Sequence, residues 1–159
     1  MNVAQQCKDE EQPLQVNWYN SIKQPQVVST ISVNSWLDKI KDSTHKDKIL
    51  LARRGELDYN QTKASLPCVT YNFLFDKYKK DANIQSGPGL LYIDIDQENF
   101  DINLFDRSKL FAYYRSFGGV GYSIIVRVEG LTADNFKSSY LSIAEELGIS
   151  DFIDVQAIK

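Results

Sequence analysis

The sequence predicts an α+β fold: a ferredoxin-like or RRM-like palm of order βαββαβ, preceded by a helical amino-terminal extension. Three patterns support this prediction: strict alternation of apolar residues over 90–96, a glycine-bearing turn between two β-rich segments, and helical spacing of apolar residues after Thr132. We expect residues 1–26 to form a polar arm and residues 27–159 a single domain. Within that domain, we expect helices in 33–66 and the palm in 67–159.

Length and composition restrict the class of protein. The chain has 159 residues, 43% of them hydrophobic, which suffices for the core of one domain. A net charge of −3 argues against coating nucleic acid by bulk charge, so any polyanion contact must be local or carried by metal ions. No apolar run approaches the roughly 20 residues that cross a bilayer, and the start resembles no secretory signal. With two cysteines, a cytoplasmic protein is expected.

The amino-terminal third reads as mainly helical. β-branched residues over 27–31 predict a short strand, after which Asn34 or Ser35 can cap a helix that carries Trp36 on its apolar side. Two further helices are predicted over 46–54 and 58–65, since the residue before Pro67 is disfavoured in the α region.

The palm elements follow from alternation, glycines and helical spacing. Thr132 is expected to cap the second palm helix and Gly148 to end it. The other predicted elements, in chain order, are a strand over 68–74, a solvated loop over 76–89, a strand over 90–96, a helix over 101–110, a hairpin of strands 111–116 and 122–129, and a last strand over 152–158.

Asp94 and Asp96 are the first candidate site. Residues two apart on a strand share a face about 7 Å apart along the backbone, and two such carboxylates can hold Mg²⁺ or Mn²⁺. The alternative is that both are solvated aspartates at a strand end. Because aspartate is disfavoured in strands, its double occurrence in an otherwise apolar strand favours a site. Asp154, on the predicted last strand, can supply the third carboxylate of a two-metal centre.

The turn Ser116–Gly121 is the second candidate. Its glycines allow close backbone approach and offer N–H groups to phosphate, although a hairpin turn needs no ligand. The segment is neither a Walker A loop nor a dinucleotide fingerprint, because it joins two strands and lacks the Lys-Ser/Thr ending.

Basic and polar residues offer weaker candidates. Ser123 and Arg127 are expected on the carboxylate face, where the arginine can meet a triphosphate or form a structural ion pair. Lys63, Arg53 and Arg54 can contact a nucleic-acid backbone, or can simply complement helix ends. The chain has a single histidine, which excludes a His-centred zinc site and a Ser-His-Asp triad.

Taken together, these motifs resemble a known family. Gly-Leu-Leu-Tyr-Ile-Asp-Ile-Asp ending at Asp96, the Ser116–Gly121 turn and Ile-Asp ending at Asp154 resemble the archaeo-eukaryotic primase superfamily, in particular the primase-polymerase-like amino-terminal domain of virulence-associated protein E. The resemblance covers residues 27–158 and extends weakly to Lys63 and the following Leu-Pro.

The resemblance implies a division of roles. Asp94, Asp96 and Asp154 would bind Mg²⁺ or Mn²⁺, and Ser116, Gly119 and Gly121 would shape the nucleotide-phosphate loop. Tyr122 and Ser123 stand where catalytic relatives carry His or Lys, which removes positive charge.

We therefore expect a primase-polymerase-like domain of a mobile element or phage that binds nucleoside triphosphates and DNA or RNA, with two-metal nucleotidyl transfer if active. A catalytically degenerate palm that binds nucleic acid or protein is the alternative, and a nucleotide-cyclase-like palm ranks last. The sequence leaves open whether a helicase or ATPase is a partner.

Overall fold

A computed structural model describes residues 13–155 and 158. The fold is α+β, as predicted, with antiparallel sheets throughout this part of the chain. Its helices are α1 (Val33–Lys41), α2 (Lys46–Arg53), α3 (Tyr59–Ser65) and α4 (Phe136–Glu146). Its strands are β1 (Gln15–Tyr19), β2 (Ser29–Ser32), β3 (Cys68–Thr70), β4 (Leu74–Phe75), β5 (Ile84–Ser86), β6 (Leu90–Ile95), β7 (Ala112–Arg115) and β8 (Tyr122–Arg127).

The sheet that carries the candidate site has the order β6-β8-β7. The β6–β8 register places Asp94 opposite Ser123 and Leu90 opposite Arg127. On one face, alternating apolar residues of β6 and β8 form the main core with α4, because successive strand residues point to opposite faces. The members of that core from these three elements are Leu91, Ile93, Ile95, Tyr122, Ile124, Val126, Tyr140 and Ala144.

The opposite face of this sheet is partly covered. A second sheet of order β2-β1-β3 and helix α1 pack over it around Leu90 and Ile125, which are fully buried. The face of the sheet that carries Asp94 is therefore closed at the Leu90 end. Asp94 lies toward the other end of β6 and is exposed.

The amino-terminal segment differs from the expected polar arm. Residues 1–12 lie outside the described part of the chain, but Gln15–Tyr19 forms the central strand of the second sheet. Its polar residue Asn17 is buried, donates to the Thr30 hydroxyl (3.1 Å) and accepts the Phe75 backbone N–H (2.6 Å). A buried amide thereby joins this sheet to β4.

The predicted helix over 101–110 is wrong, because two separate 3₁₀ turns occupy the segment. The carboxylates of Asp101 and Asp106 accept backbone N–H groups two residues ahead, at 2.9 and 3.0 Å, and such local bonds compete with a continuous helix. The predicted last strand also differs: Ser150–Phe152 is a 3₁₀ turn and residues 153–155 form no strand, while 156 and 157 are outside the described residues. The α+β class is confirmed; the complete βαββαβ palm is not.

The single strand predicted over 68–74 is wrong, because β3 and β4 occupy this segment and belong to different sheets. The N-cap of α4 is Asn135 and not Thr132. The other elements agree with the sequence to within a few residues. α1 begins after Ser32, whose hydroxyl accepts the Ser35 N–H at 3.1 Å, so the cap lies two or three residues before the expected one. The loop expected over 76–89 contains β5. Among the described residues, no helix is long and apolar enough to cross a membrane.

Candidate functional site

Asp94 and Asp96 stand between two open clefts at the end of β6. The turn-side cleft, about 450 Å³, is lined by both aspartates, by Tyr59 and Lys63, and by four turn residues, Ser116, Phe117, Gly118 and Val120; the predicted loop residues Gly119 and Gly121 do not line it. The helix-side cleft, about 730 Å³, is lined by the same aspartates and by Asn72, Tyr92, Tyr140 and Asp154. One pair of carboxylates thus borders two separate spaces.

The Asp94 carboxylate is fixed from its own strand. The Tyr92 hydroxyl, two residues back on the same face, donates to Asp94 Oδ1 at 3.2 Å and lies 3.0 Å from the Ser123 hydroxyl. Partial burial raises the pKa of the Asp94 carboxyl and the charge of Asp96 raises it further, while Tyr92 and Lys63 act in the opposite direction. A cation placed between the two aspartates would relieve this repulsion.

Helix α4 closes the helix-side cleft with Tyr140. Burial and the nearby Asp94 carboxylate raise the pKa of Tyr140 to about 12, while a hydrogen bond from the Asp94 backbone N–H acts in the opposite direction. Two residues before Asp94 on β6, the Tyr92 backbone N–H donates to Asn72 Oδ1 at 2.8 Å. Side chains therefore accept both of these N–H groups along the outer edge of β6, where a further strand could otherwise pair with β6.

The glycine turn is packed against the end of β6. Gly121 leaves no room for a side chain, since a Cβ there would overlap the Ile95 carbonyl oxygen. Inside the turn, Ser116 N–H donates to the Gly121 carbonyl (3.1 Å) and Gly119 N–H to the Ser116 carbonyl (2.9 Å). Gly119 adopts a φ of +80°, which glycine reaches without strain. Close approach of the two backbones brings the turn beside Asp96.

Two arginines hold the carbonyl groups of this turn. The Arg53 guanidinium donates to the carbonyls of Phe117 (2.7 Å) and Ser116 (3.0 Å), and Arg115 donates to that of Val120 (2.9 Å). Carbonyl oxygens that would repel an anion are thereby neutralised. The turn accordingly offers a phosphate a more positive surface than its sequence indicates.

Helix α3 contributes a ring and an ammonium group to the turn-side cleft. Tyr59 and Lys63 are four residues apart and so lie on one face of the helix, and both line the cleft. The Tyr59 ring packs edge-to-face on Phe117 with centroids 4.9 Å apart. The cleft therefore combines an aromatic rim, the ammonium group of Lys63, three carboxylates (Asp94, Asp96 and Glu98) and the turn.

The structure brings only some of the predicted site residues together. Lys63, Ser116 and Ser123 line the turn-side cleft with the aspartates, although Ser123 is buried. Arg127 lies four residues from Ser123 along β8, about 13 Å away, with its guanidinium 5.2 Å from the Phe111 ring centroid. Its predicted place beside the carboxylates is therefore not observed.

The three basic residues expected to contact nucleic acid do not form one surface. Arg53 holds the turn, Arg54 lies 3.9 Å from the Glu56 carboxylate, and Lys63 faces the turn-side cleft. Asp154 lines the helix-side cleft with Asp94 and Asp96. Nevertheless, among the described residues no group of three or more His, Cys, Asp or Glu side chains is arranged to hold a metal ion. Two carboxylates match Mg²⁺ or Mn²⁺ that completes its shell with water and phosphate oxygens.

Several cleft residues escaped sequence reasoning. The alternation of side chains along β6 places Tyr92 on the same face as Asp94, and this alternation is the only sequence signal for their contact. Tyr59 and Glu98 line the turn-side cleft, and Asn72 and Tyr140 the helix-side cleft. No local sequence pattern marks these four, because packing of distant segments brings them to β6.

Comparison with known proteins gives the family. A model of the BT4734-like N-terminal domain matches residues 61–148. The chain belongs to this family. The matched segment includes Lys63, Asp94, Asp96, the glycine turn and all of α4, and leaves out β1, β2, α1 and α2.

The family match corrects the interpretation from sequence motifs. The resemblance to the archaeo-eukaryotic primase superfamily, and to the virulence-associated protein E domain within it, is wrong, because the family identified is a different one. No curated protein and no solved structure matches the chain. Function must therefore be argued from the geometry of the site.

Proposed function

We propose that this domain binds a nucleoside triphosphate together with one divalent cation, Mg²⁺ or Mn²⁺, in the turn-side cleft. The observation that carries the proposal is that Asp94, Asp96, Lys63 and the arginine-held turn line one cleft. Mg²⁺ is usually held by one or two carboxylates plus phosphate oxygens, and the cleft supplies carboxylates, with Glu98 beside the aspartate pair, and an adjacent lysine for the phosphate.

Each part of the cleft has a role in this proposal. The two aspartates hold the cation, and Lys63 neutralises phosphate charge. The N–H groups of Ser116 and Gly119 bond within the turn, so the other N–H groups of the turn would meet the phosphate oxygens, while Arg53 and Arg115 pair with carbonyls of the same turn. The aromatic pair Tyr59 and Phe117 provides a surface on which the base can stack.

A second candidate function is nucleotidyl transfer to a nucleic acid. It is favoured by Asp154, whose position in the helix-side cleft with Asp94 and Asp96 would let a second cation bind once a substrate supplies further oxygens. The strand order β6-β8-β7 is consistent with three of the four strands of a split βαβ palm, and these three strands are the part of the fold that nucleotidyl transfer would need. A nucleic-acid template, a helicase partner and a cytoplasmic location are proposed together with this second function. The free thiol of Cys68 is consistent with a cytoplasmic location.

Calorimetric titration with ATP, in the presence of Mn²⁺ and in the presence of EDTA, tests the proposed function. We expect a component of ATP binding that requires Mn²⁺, and we expect this component to be lost in the double variant Asp94→Asn, Asp96→Asn. Asp134→Asn is the matched control, because that aspartate is exposed and lines neither cleft. Identical ATP titrations with and without Mn²⁺, or a Mn²⁺-dependent component that persists in the double variant, would refute the proposal.

Primer extension with labelled nucleotides separates the two candidates. A domain that only binds nucleotide gives no extended product, whereas the transfer candidate predicts a product that disappears with Asp154→Asn. Product formation that persists in this variant would contradict the role given to Asp154.

A further inference from the structure

A third cavity, of about 840 Å³, lies between the two larger sheets and opens toward the β4–β5 hairpin. We call it the aromatic cavity, because seven aromatic residues line it: Trp36, Tyr71, Phe73, Phe75, Tyr92, Tyr114 and Phe136. It shares Asn72, Tyr92 and Phe136 with the helix-side cleft and shares none of the turn residues. A ligand can therefore occupy it without touching the glycine turn.

Hydrogen bonds of the indole N–H and the tyrosine hydroxyls hold four of these rings in place. Trp36 Nε1 donates to the Tyr71 hydroxyl (2.5 Å), which lies 2.9 Å from the Tyr114 hydroxyl. Tyr71 and Tyr92 stack with centroids 5.3 Å apart and planes within 5° of parallel. Since the polar ends of these residues are already paired, ring faces and edges are what they present to the cavity. Such walls favour a planar aromatic ligand.

Polar groups occur at two places on the cavity wall. Asn72 lies at the junction with the helix-side cleft, and because its Oδ1 accepts the Tyr92 N–H, its amide NH₂ is the group left to donate to a ligand. At the other end, Lys79, Lys80 and Asp81 line the opening, with an excess of one positive charge. The ion pairs found among the described residues involve neither lysine.

We propose that the aromatic cavity is a second binding site, for a planar nitrogen heterocycle that carries an anionic substituent. The ring enters between the aromatic walls, an acceptor atom on its edge receives the Asn72 amide, and the anion remains near Lys79 and Lys80. This site needs no metal ion and does not depend on Asp94 or Asp96, so it goes beyond the nucleotide site of the turn-side cleft.

Adenosine 5′-monophosphate, with adenosine as the uncharged comparison, is the probe. Titrations are carried out in EDTA, which removes the metal-dependent site, and followed through the two tryptophan indole N–H signals by NMR. We expect the Trp36 indole signal to shift and saturate. The double variant Asp94→Asn, Asp96→Asn should give the same curve, so failure of the proposed function would leave this result intact.

Ala133 allows the cavity to be blocked from its rim. This residue is exposed and lines the cavity, so Ala133→Trp fills the opening without replacing a core residue, and Ala133→Ser is the matched control. Ala133→Trp should abolish the shift and Ala133→Ser should retain it. The double variant Lys79→Gln, Lys80→Gln should lower the affinity for the monophosphate by roughly two- to tenfold, as expected from the energies of surface ion pairs. Its affinity for adenosine should be unchanged.

Three results would overturn the inference. They are the absence of a saturable shift with either probe, an unchanged titration in a folded Ala133→Trp protein, or a lysine variant that loses adenosine and the monophosphate equally. Circular dichroism of each variant establishes that it is folded. If the blocked variant does not fold, the lysine pair alone decides the charge preference.

Discussion

Replacing Asp94 with asparagine should stabilise the ligand-free protein and at the same time remove cation binding. Alternate residues on a strand lie about 7 Å apart, so two unit charges there repel by about 0.6 kcal/mol in water and about 2.4 kcal/mol at an effective dielectric of 20. Because Asp94 is exposed, the lower value is the better guide. We expect about 0.5–1 kcal/mol at pH 7, or roughly 1–4 °C in Tm for a chain of this size. The asparagine oxygen can still accept the Tyr92 hydroxyl.

The pH dependence of this gain follows from the raised pKa of Asp94. A carboxyl whose pKa is higher in the folded than in the unfolded chain favours folding when protonated, and this contribution is lost as pH rises through the folded-state pKa. The advantage of Asp94→Asn should therefore be present at pH 7. It should vanish below the ordinary aspartate pKa, where the wild-type side chain is neutral in both states.

Thermal unfolding at pH 7 and pH 3, with and without Mn²⁺, measures both effects. At a cation concentration of about 100 times Kd, wild type should gain about 2.7 kcal/mol and Asp94→Asn nothing. Asp134→Asn should behave as wild type throughout. A lower Tm for Asp94→Asn at pH 7 without cation would show that Tyr92 and Lys63 outweigh the repulsion, and the reasoning would fail.

Three further substitutions test the surroundings of the carboxylates. Gly121→Ala should lower the free energy of unfolding by about 2–3 kcal/mol in urea, because its Cβ meets the last carbonyl of β6; a loss no larger than that of Gly118→Ala would contradict this. Arg53→Gln should cost only about 0.5–1 kcal/mol in stability yet weaken Mn²⁺-ATP binding, since the turn carbonyls lose their cation; unchanged calorimetric affinity would argue against the electrostatic role. Tyr92→Phe should raise the pKa of Asp94 and move the pH midpoint of Mn²⁺ binding upward; a superimposable pH profile would mean that the hydroxyl does not act on the carboxylate.

The parts of the fold that were predictable from sequence are those in which apolar residues recur along one face. Alternate residues of β6 and β8 pack in the main core, and although Leu90 and Ile125 are buried on the other face, both strands were located to within two residues. α4 was found for the analogous reason, at helical spacing. In β1, by contrast, the buried residues include Asn17, whose amide pairs with partners 13 and 58 residues away. No local pattern reveals a strand of that kind.

The site shows the same division between local and distant information. The shared face of Asp94 and Asp96 follows from strand geometry alone. Arg127 was misplaced because sharing a face says nothing about position along the strand, which the β6–β8 register sets. Arg53 was predicted only to contact a nucleic-acid backbone or to complement a helix end, and its bonds to carbonyls 63 and 64 residues away could not be deduced from its helix.

The attachment of the glycine turn to Arg53 has a practical consequence for dissecting the domain. Trimming the protein to residues 61–148, the stretch that defines its family, would retain every acidic and glycine residue of the turn-side cleft and yet discard the guanidinium that orients the loop. Such a fragment would also lose β1 and α1, which shield Leu90 and Ile125 from water. Truncations that begin after α2 are thus poor reagents for ligand screening, however complete their motifs look on paper.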